Sequence, residues 1–330
     1  MYRLIFILLG LLIGQPLFAQ TLKAATIAPK NSIYHRALQE MGEAYRGASP
    51  PHARFLIYTD GIQGTEADTV RRMRVGQLDV SMLTVVGLSE IDPAVAALQY
   101  MPMMFRSWEE LDHVREKLRP ELEAKLAAKG FVVLVWGEGG WVQFFTKEPI
   151  LHPEEFKRAK IFAWSGDIAQ ASVMKSLGYT PVPIPIADIM PGLETGMVDT
   201  VPIAPLWALI GQFDRVTSYM LRVNWVPIVG ATVMRKQSFE ALKPEARAAL
   251  ARSARKSTDE LRAHRAVQDE ESIKAMQARG LKVRSLTPEL ERAWREVAER
   301  SWPMVRGTMV PAETFDRVRG IVAEYRAGAR

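Results

Sequence analysis

KIFAWSGDIAQASVMKSLGYTPVPI, Lys160 to Ile184, is the stretch whose reading decides the fold class. Lys160 to Trp164 reads as a short strand ending in a turn, Ile168 to Leu177 as a helix, and Thr180 to Pro185 as a second strand. The same alternation runs upstream. Leu22 to Ala28, Phe55 to Tyr58, Leu78 to Val86 and Phe131 to Trp136 read as strands. Between them, helices are expected from Ile33 to Arg46 behind the cap Asn31-Ser32, from Thr65 to Val75, and from the capping box Ser107-x-x-Glu110 towards Lys129. Strands alternating with helices imply an α/β fold with largely buried sheets. The centre of the opening strand, Phe162-Ala163-Trp164, raises the functional question. A strand end lining a polar ligand site should carry charge, and this one is aromatic.

Composition narrows the class. Residues 1–19 carry a basic start at Arg3, an apolar run from Leu4 to Ile13 and a small residue at Ala19. That pattern predicts a cleaved signal peptide and a periplasmic protein. The apolar run is shorter than the about 20 residues a membrane span needs. The rest of the chain is long enough for two domains of about 150 residues each. It has no cysteine, so disulfides and lipid attachment through a thiol are excluded. The net charge of +6 is spread along the chain, without the basic, aromatic-interleaved cluster of a nucleic-acid groove. From Pro244 to Arg279 the chain reads as one long helix closed by Gly280, and about 35 residues of helix reach roughly 50 Å, across two domains.

Signals of catalysis are missing. His35, His52, His113, His152 and His264 are scattered without metal-ligand spacing. No G-x-S-x-G elbow occurs. The glycine run Trp136 to Trp141 leads into another extended segment, Val142 to Thr146, and not into the helix a dinucleotide fingerprint requires. The residues leave an enzyme open but give no support for one, nor for a cofactor or a metal site.

Several segments in order then resemble the DctP-type solute-binding proteins of TRAP transporters. They are Val75-Gly76-Gln77-Leu78-Asp79-Val80, Met101 to Ser107, Lys147-Glu148-Pro149-Ile150 with Lys160-Ile161, Leu177 to Pro183, and Leu193-Glu194-Thr195-Gly196-Met197-Val198-Asp199. The resemblance implies a two-domain periplasmic binding protein, a clamshell with mixed sheets, crossing strands and a long bridging helix. Residues 20–142 and 227–265 are expected in domain I, and 143–226 and 266–330 in domain II, with the long helix spanning both. It also implies a ligand held in the cleft between domains and delivered to the membrane permease subunits of an ion-driven transporter.

The departures from the family pattern carry more information than the matches. Phe162 stands where relatives that bind organic acids keep an Arg against the substrate carboxylate, and Val142 stands at a second such position. An Arg–carboxylate pair is among the stronger recognition devices, and burying a carboxylate without one is costly. The resemblance thus implies an apolar or amphipathic ligand, lipid-like or aromatic. Missing arginines and the segment Pro202 to Leu206 also resemble a branch of the family that works with a periplasmic tetratricopeptide-repeat protein, a partner implied by resemblance alone.

Aromatic surface replaces charge in the expected cleft. Trp136, Trp141, Trp164, Trp207 and Trp225 fall in the segments that build it, together with Val142, Phe162, Ser165 and Ile203. Thr84, Val85 and Val86 at the end of the third strand face it from the other domain, and Asn31 and Ser32 offer either a polar handle or a helix cap. For each Trp, core packing competes with ligand contact, and Trp164 either shares the cleft or packs behind it.

Overall fold

The computed structural model describes residues 21–328, so the signal-peptide reading of residues 1–19 lies outside the described residues. The first half of the chain alternates as expected. β1 (Thr21–Thr26), α1 (Ile33–Gly47), β2 (Arg54–Tyr58), α2 (Glu66–Arg74), β3 (Val80–Thr84), the short α3 (Val85–Ser89), α4 (Trp108–Ala128) and β4 (Phe131–Trp141) build the first domain. The second contains β5 (Gln143–Thr146), β6 (Lys160–Trp164), α5 (Ile168–Ser176), β7 (Thr180–Ile184), α6 (Ile189–Thr195), β8 (Thr200–Ile203), α7 (Pro205–Ile210) and β9 (Tyr219–Arg222). β10 (Pro227–Arg235), α8 (Lys236–Glu240), α9 (Pro244–Gln277), β11 (Lys282–Ser285), α10 (Pro288–Val305) and α11 (Ala312–Gly328) complete the chain.

Helices start where short polar side chains satisfy free backbone N–H groups. The Ser32 hydroxyl accepts from His35 N, and Thr65 and Asp68 form a full capping box on α2. On α4 only half of the expected box forms: Ser107 accepts from Glu110 N, while the Glu110 carboxylate turns to Arg106 N and Arg326. A charged guanidinium is a stronger partner for that carboxylate than the cap amide.

Two mixed sheets result. Among the described residues the first has five strands in the order β2-β1-β3-β10-β4, and the second has six in the order β11-β9-β5-β8-β6-β7. β1 is parallel to β2 and β3, whereas β10 runs antiparallel to β3 and β4. The opening stretch forms the parallel pair β6–β7, from Lys160↔Thr180 to Trp164↔Ile184. Gly230 lets β10 lie against β3, because a Cβ there would stand 2.4 Å from the Leu83 carbonyl oxygen.

The domains join through crossing strands, not a flexible linker. The glycine run is the end of β4, and Gly140, at φ +96°, turns the chain towards β5. The β9–β10 connection returns beside it. Gln143 fastens the two crossings: its Oε1 accepts from Val223 N (2.8 Å) and Asn224 N (3.1 Å), and its Nε2 donates to Asn224 Oδ1 (2.6 Å). Among the described residues no helix is long and apolar enough to cross a membrane.

α9 bridges the halves, as its length predicts. Ala246, Leu250 and Ala254 pack with the α1–β2 core of the first domain, and Ile273 and Met276 with the core of the second. The C-terminal helices divide. Trp294 and Ala298 of α10 join a second-domain cluster, whereas Phe315, Val318 and Val322 of α11 are buried in the first-domain core with Leu111 and Val114 of α4. Residues 266–330 are thus not all packed in the second domain: the apolar stripe of α11 finds its matching face on α4.

Candidate ligand-binding cleft

A cavity of about 140 Å³ lies between the two sheets. The first domain contributes the β3 end and α3 with Thr84 and Val86, and the loop before α4 with Gln99 and Tyr100. The second contributes Phe162 and Trp164 from β6 and Ile203 from β8. Val142 and Trp225 enter from the two crossings, whose backbones are paired through Val142 N to Val226 O (2.9 Å) and Trp225 N to Val142 O (3.0 Å).

One wall is an aromatic cluster. Trp294 of α10 has its ring centre 5.0 Å from Phe144, 5.0 Å from Phe156 and 5.7 Å from Trp225. Tilted and edge-on contacts at such distances add about 0.5–1.5 kcal/mol per pair beyond burial, so the wall is stabilised by ring geometry as well as by its apolar surface. Phe162 packs against Trp164 at 6.3 Å.

Among the described residues, charge in the lining is confined to one group. Asp167, buried at the N-terminus of α5, accepts from the Tyr100 hydroxyl across the cleft through Oδ2 and from Gln170 N (3.0 Å) through Oδ1. Burial pushes the Asp167 carboxyl up, against the lowering by those hydrogen bonds, and burial with the nearby Asp167 charge pushes the Tyr100 hydroxyl well up. The Tyr179 hydroxyl, on another lining residue, is buried without a hydrogen-bond partner, and burial raises it to about 12. No Lys, Arg or His lines the cavity among the described residues. Two arginines on neighbouring segments are engaged elsewhere: Arg71 with Asp68, and Arg222 with Glu270 (2.6 Å). Arg106 is not in the lining either.

A second cavity, of about 80 Å³, lies mostly within the first domain and shares Thr84 and Ile228 with the first. Trp207 lines it, stacked on Tyr34 with ring centres 5.3 Å apart. Beside this stack Asp269 approaches Trp141 N (3.4 Å), and burial pushes its carboxyl up to about 7.

The residues expected at the site separate into three groups. Thr84, Val86, Val142, Phe162, Trp164, Ile203 and Trp225 line the larger cavity, and Trp207 the smaller. Val85, Trp136 and Trp141 belong instead to the first-domain core. Val85 turns inward because β3 ends at Thr84 and α3 begins; Trp136 donates to Glu123 Oε1 (3.0 Å), and Trp141 packs on Trp108 at 5.1 Å. Asn31, Ser32 and Ser165 lie outside both linings. Ser32 serves as the α1 cap, Asn31 occupies a turn at φ 66°, and Ser165 N donates to Ile184 O (3.2 Å).

Sequence reasoning passes over Tyr100, Asp167, Phe144, Phe156 and Trp294. Asp167 has a local signal, as the cap of Asp-Ile-Ala-Gln within the opening stretch. Trp294 has none, since its place depends on how α10 folds back.

Comparison with known proteins places this geometry. The model of a family described as bacterial extracellular solute-binding protein, family 7 (DctP), matches residues 24–307. The 2,3-diketo-L-gulonate-binding periplasmic protein YiaO of Escherichia coli K12 is 24% identical over 271 residues, 81% of each chain. The C4-dicarboxylate-binding periplasmic protein DctP of Rhodobacter capsulatus is 25% identical over 226 residues, 68% of this chain and 67% of that one. The same fold occurs in a TRAP periplasmic solute-binding protein of Xanthobacter autotrophicus Py2 with bound β-D-galacturonate, at TM-score 0.81 and 19% identity over 92% of this chain and 99% of that one. It occurs again in one of Desulfovibrio desulfuricans with bound sn-glycerol-3-phosphate, at TM-score 0.83 and 18% identity over 93% and 97%.

Proposed function

The chain belongs to the bacterial extracellular solute-binding protein family 7, DctP, and on that premise we propose that it is a TRAP-type receptor for an apolar or amphipathic solute, delivered to membrane permease subunits. The observation carrying the ligand class is the lining: aromatic and aliphatic walls, with no cation among the described lining residues. Burying apolar ligand surface there yields about 25 cal/mol per Å². A carboxylate or phosphate would instead lose its hydration without meeting an ion-pair partner. Phe162 and Val142 supply the apolar surface at the two positions where the family resemblance implies arginines. Closure about the β4–β5 and β9–β10 crossings would seal the ligand from water.

A second reading, an acidic sugar or small phosphate, is favoured by what the relatives from X. autotrophicus and D. desulfuricans bind. The two readings separate in one experiment. Native mass spectrometry of gently purified protein, followed by denaturing analysis, should release a co-purified apolar molecule. A clean protein stabilised by D-galacturonate or a dicarboxylate, and not by medium-chain alcohols, sinks the apolar reading. The proposal extends to a periplasmic tetratricopeptide-repeat partner. Its supports are the same two apolar positions and the Pro202 to Leu206 segment, and affinity capture with a purified repeat protein of that type tests it.

A further inference from the structure

Resting on the apolar reading, we propose that Asp167, held by Tyr100 across the cleft, is the head-group acceptor of the cavity. It selects an amphiphile whose polar end donates hydrogen bonds, a cation before a neutral group, and rejects carboxylates.

Asp167 is the sole carboxylate of the lining among the described residues, and no Lys, Arg or His balances it. An ionised carboxylate offers about four acceptor sites. The Tyr100 hydroxyl and Gln170 N occupy one on each oxygen, which leaves capacity for a ligand donor. The residue is only 7% exposed, so its charge is poorly hydrated and a donor arriving with the ligand restores part of the lost solvation. Aromatic faces act in the same direction. Phe162, Trp164, Trp225 and Trp294 line the same cavity, and a ring face turned to the ligand favours a cation over an anion.

The N-terminus of α5 could otherwise attract an anion. Here the Asp167 side chain already caps Gln170 N and places a carboxylate at that end. A carboxylate ligand reaching this end meets a like charge with no counter-ion in the lining. Burial raises the Asp167 carboxyl, so its ionised form gains from a cation brought in by the ligand. The Tyr100 hydrogen bond also ties the acceptor to both domains, since Tyr100 belongs to the first-domain core and Asp167 to α5. A ligand that engages Asp167 therefore completes the polar contact between domains.

Calorimetric titration of the full chain at neutral pH with octylammonium, octan-1-ol and octanoate tests this. We expect octylammonium to bind about tenfold more tightly than octanoate, with octanol between them. In Asp167→Asn, which keeps a helix-capping side chain, the ratio should fall to within about threefold. Tyr100→Phe retains the cavity shape and frees an acceptor site on Asp167, so its ratio should widen. Octanoate binding as tightly as octylammonium, a ratio unchanged in Asp167→Asn, or a ratio lost in Tyr100→Phe overturns the head-group assignment. If octanol still binds, the apolar reading survives that result. D-galacturonate binding with none of the octyl compounds bound overturns both.

Discussion

Glu138 and Val142 lie close together along the β4–β5 crossing, yet their surroundings use charge in opposite ways. Around Glu138 three arginines converge: Arg115 directly, Arg262 at 3.4 Å and Arg265 at 3.6 Å. Asp112 joins them, 2.8 Å from Arg115 and 2.5 Å from Arg265, and the Arg265 guanidinium lies 4.6 Å from the Trp108 ring centre. The Arg115 side chain is only 2% exposed. Around Val142 there is aromatic and aliphatic surface and one acid, Asp167, on a neighbouring wall. The fold thus buries guanidinium groups where carboxylates are already positioned, and the cleft is apolar through its own residues. A buried charge is tolerated when paired and costs several kcal/mol when isolated.

The largest expected effect comes from moving the first region's chemistry into the second. Phe162→Arg should abolish measurable octanol binding and lower stability by about 3 kcal/mol in urea denaturation, because the new cation enters an apolar wall. Unchanged stability with a gain of galacturonate binding would break the contrast, by showing that the cleft accommodates a cation after all. The converse change, Arg115→Met, removes the closest partner of Glu138 and should also cost about 3 kcal/mol, with octanol affinity retained.

A pH dependence sharpens the boundary between the regions. Asp269 sits beside the smaller cavity and its folded pKa is raised from an ordinary 3.8 to about 7. The folded state therefore holds this proton after the unfolded chain has released it. Stability from this group is full below pH 3.8 and declines as pH rises towards about 7. The slope is at most about 1.4 kcal/mol per pH unit. Asp269→Asn should be flatter over that window, and identical urea midpoints for parent and variant at each pH would count against the assignment.

Smaller effects belong to residues outside both regions. Ser32→Ala should lose about 1 kcal/mol through the α1 cap and leave ligand affinity unchanged; a loss of affinity would return Ser32 to the site. Arg222→Gln breaks a partly exposed pair and should shift stability by less than about 1 kcal/mol, an effect that added salt should shrink further.

Most of the architecture is legible from local pattern. Lys160 to Ile184 declares its strand, helix and strand, Pro244 to Gly280 declares the bridging helix, and Ser32 and Thr65 mark helix starts, because periodicity and capping are local properties of the chain. β9, β10 and β11 are less visible: their residues become strands by pairing with partners far away in sequence. The site divides in the same manner. Phe162 and Val142 can be placed through the motifs around them, whereas Trp136 and Trp141 look equally suitable and are core, because Glu123 and Trp108 draw them to the other side of β4.

The sequence by itself determined an α/β binding protein of the DctP family whose two expected anion-binding positions are apolar. Only the tertiary structure decided that no other arginine lines the cavity among the described residues, that α10 brings Trp294 into its wall, and that Tyr100 meets Asp167 across it. The reason is physical. Residue type and local spacing set which groups a segment can offer, but whether a charge is paired or alone depends on which distant segments fold against it.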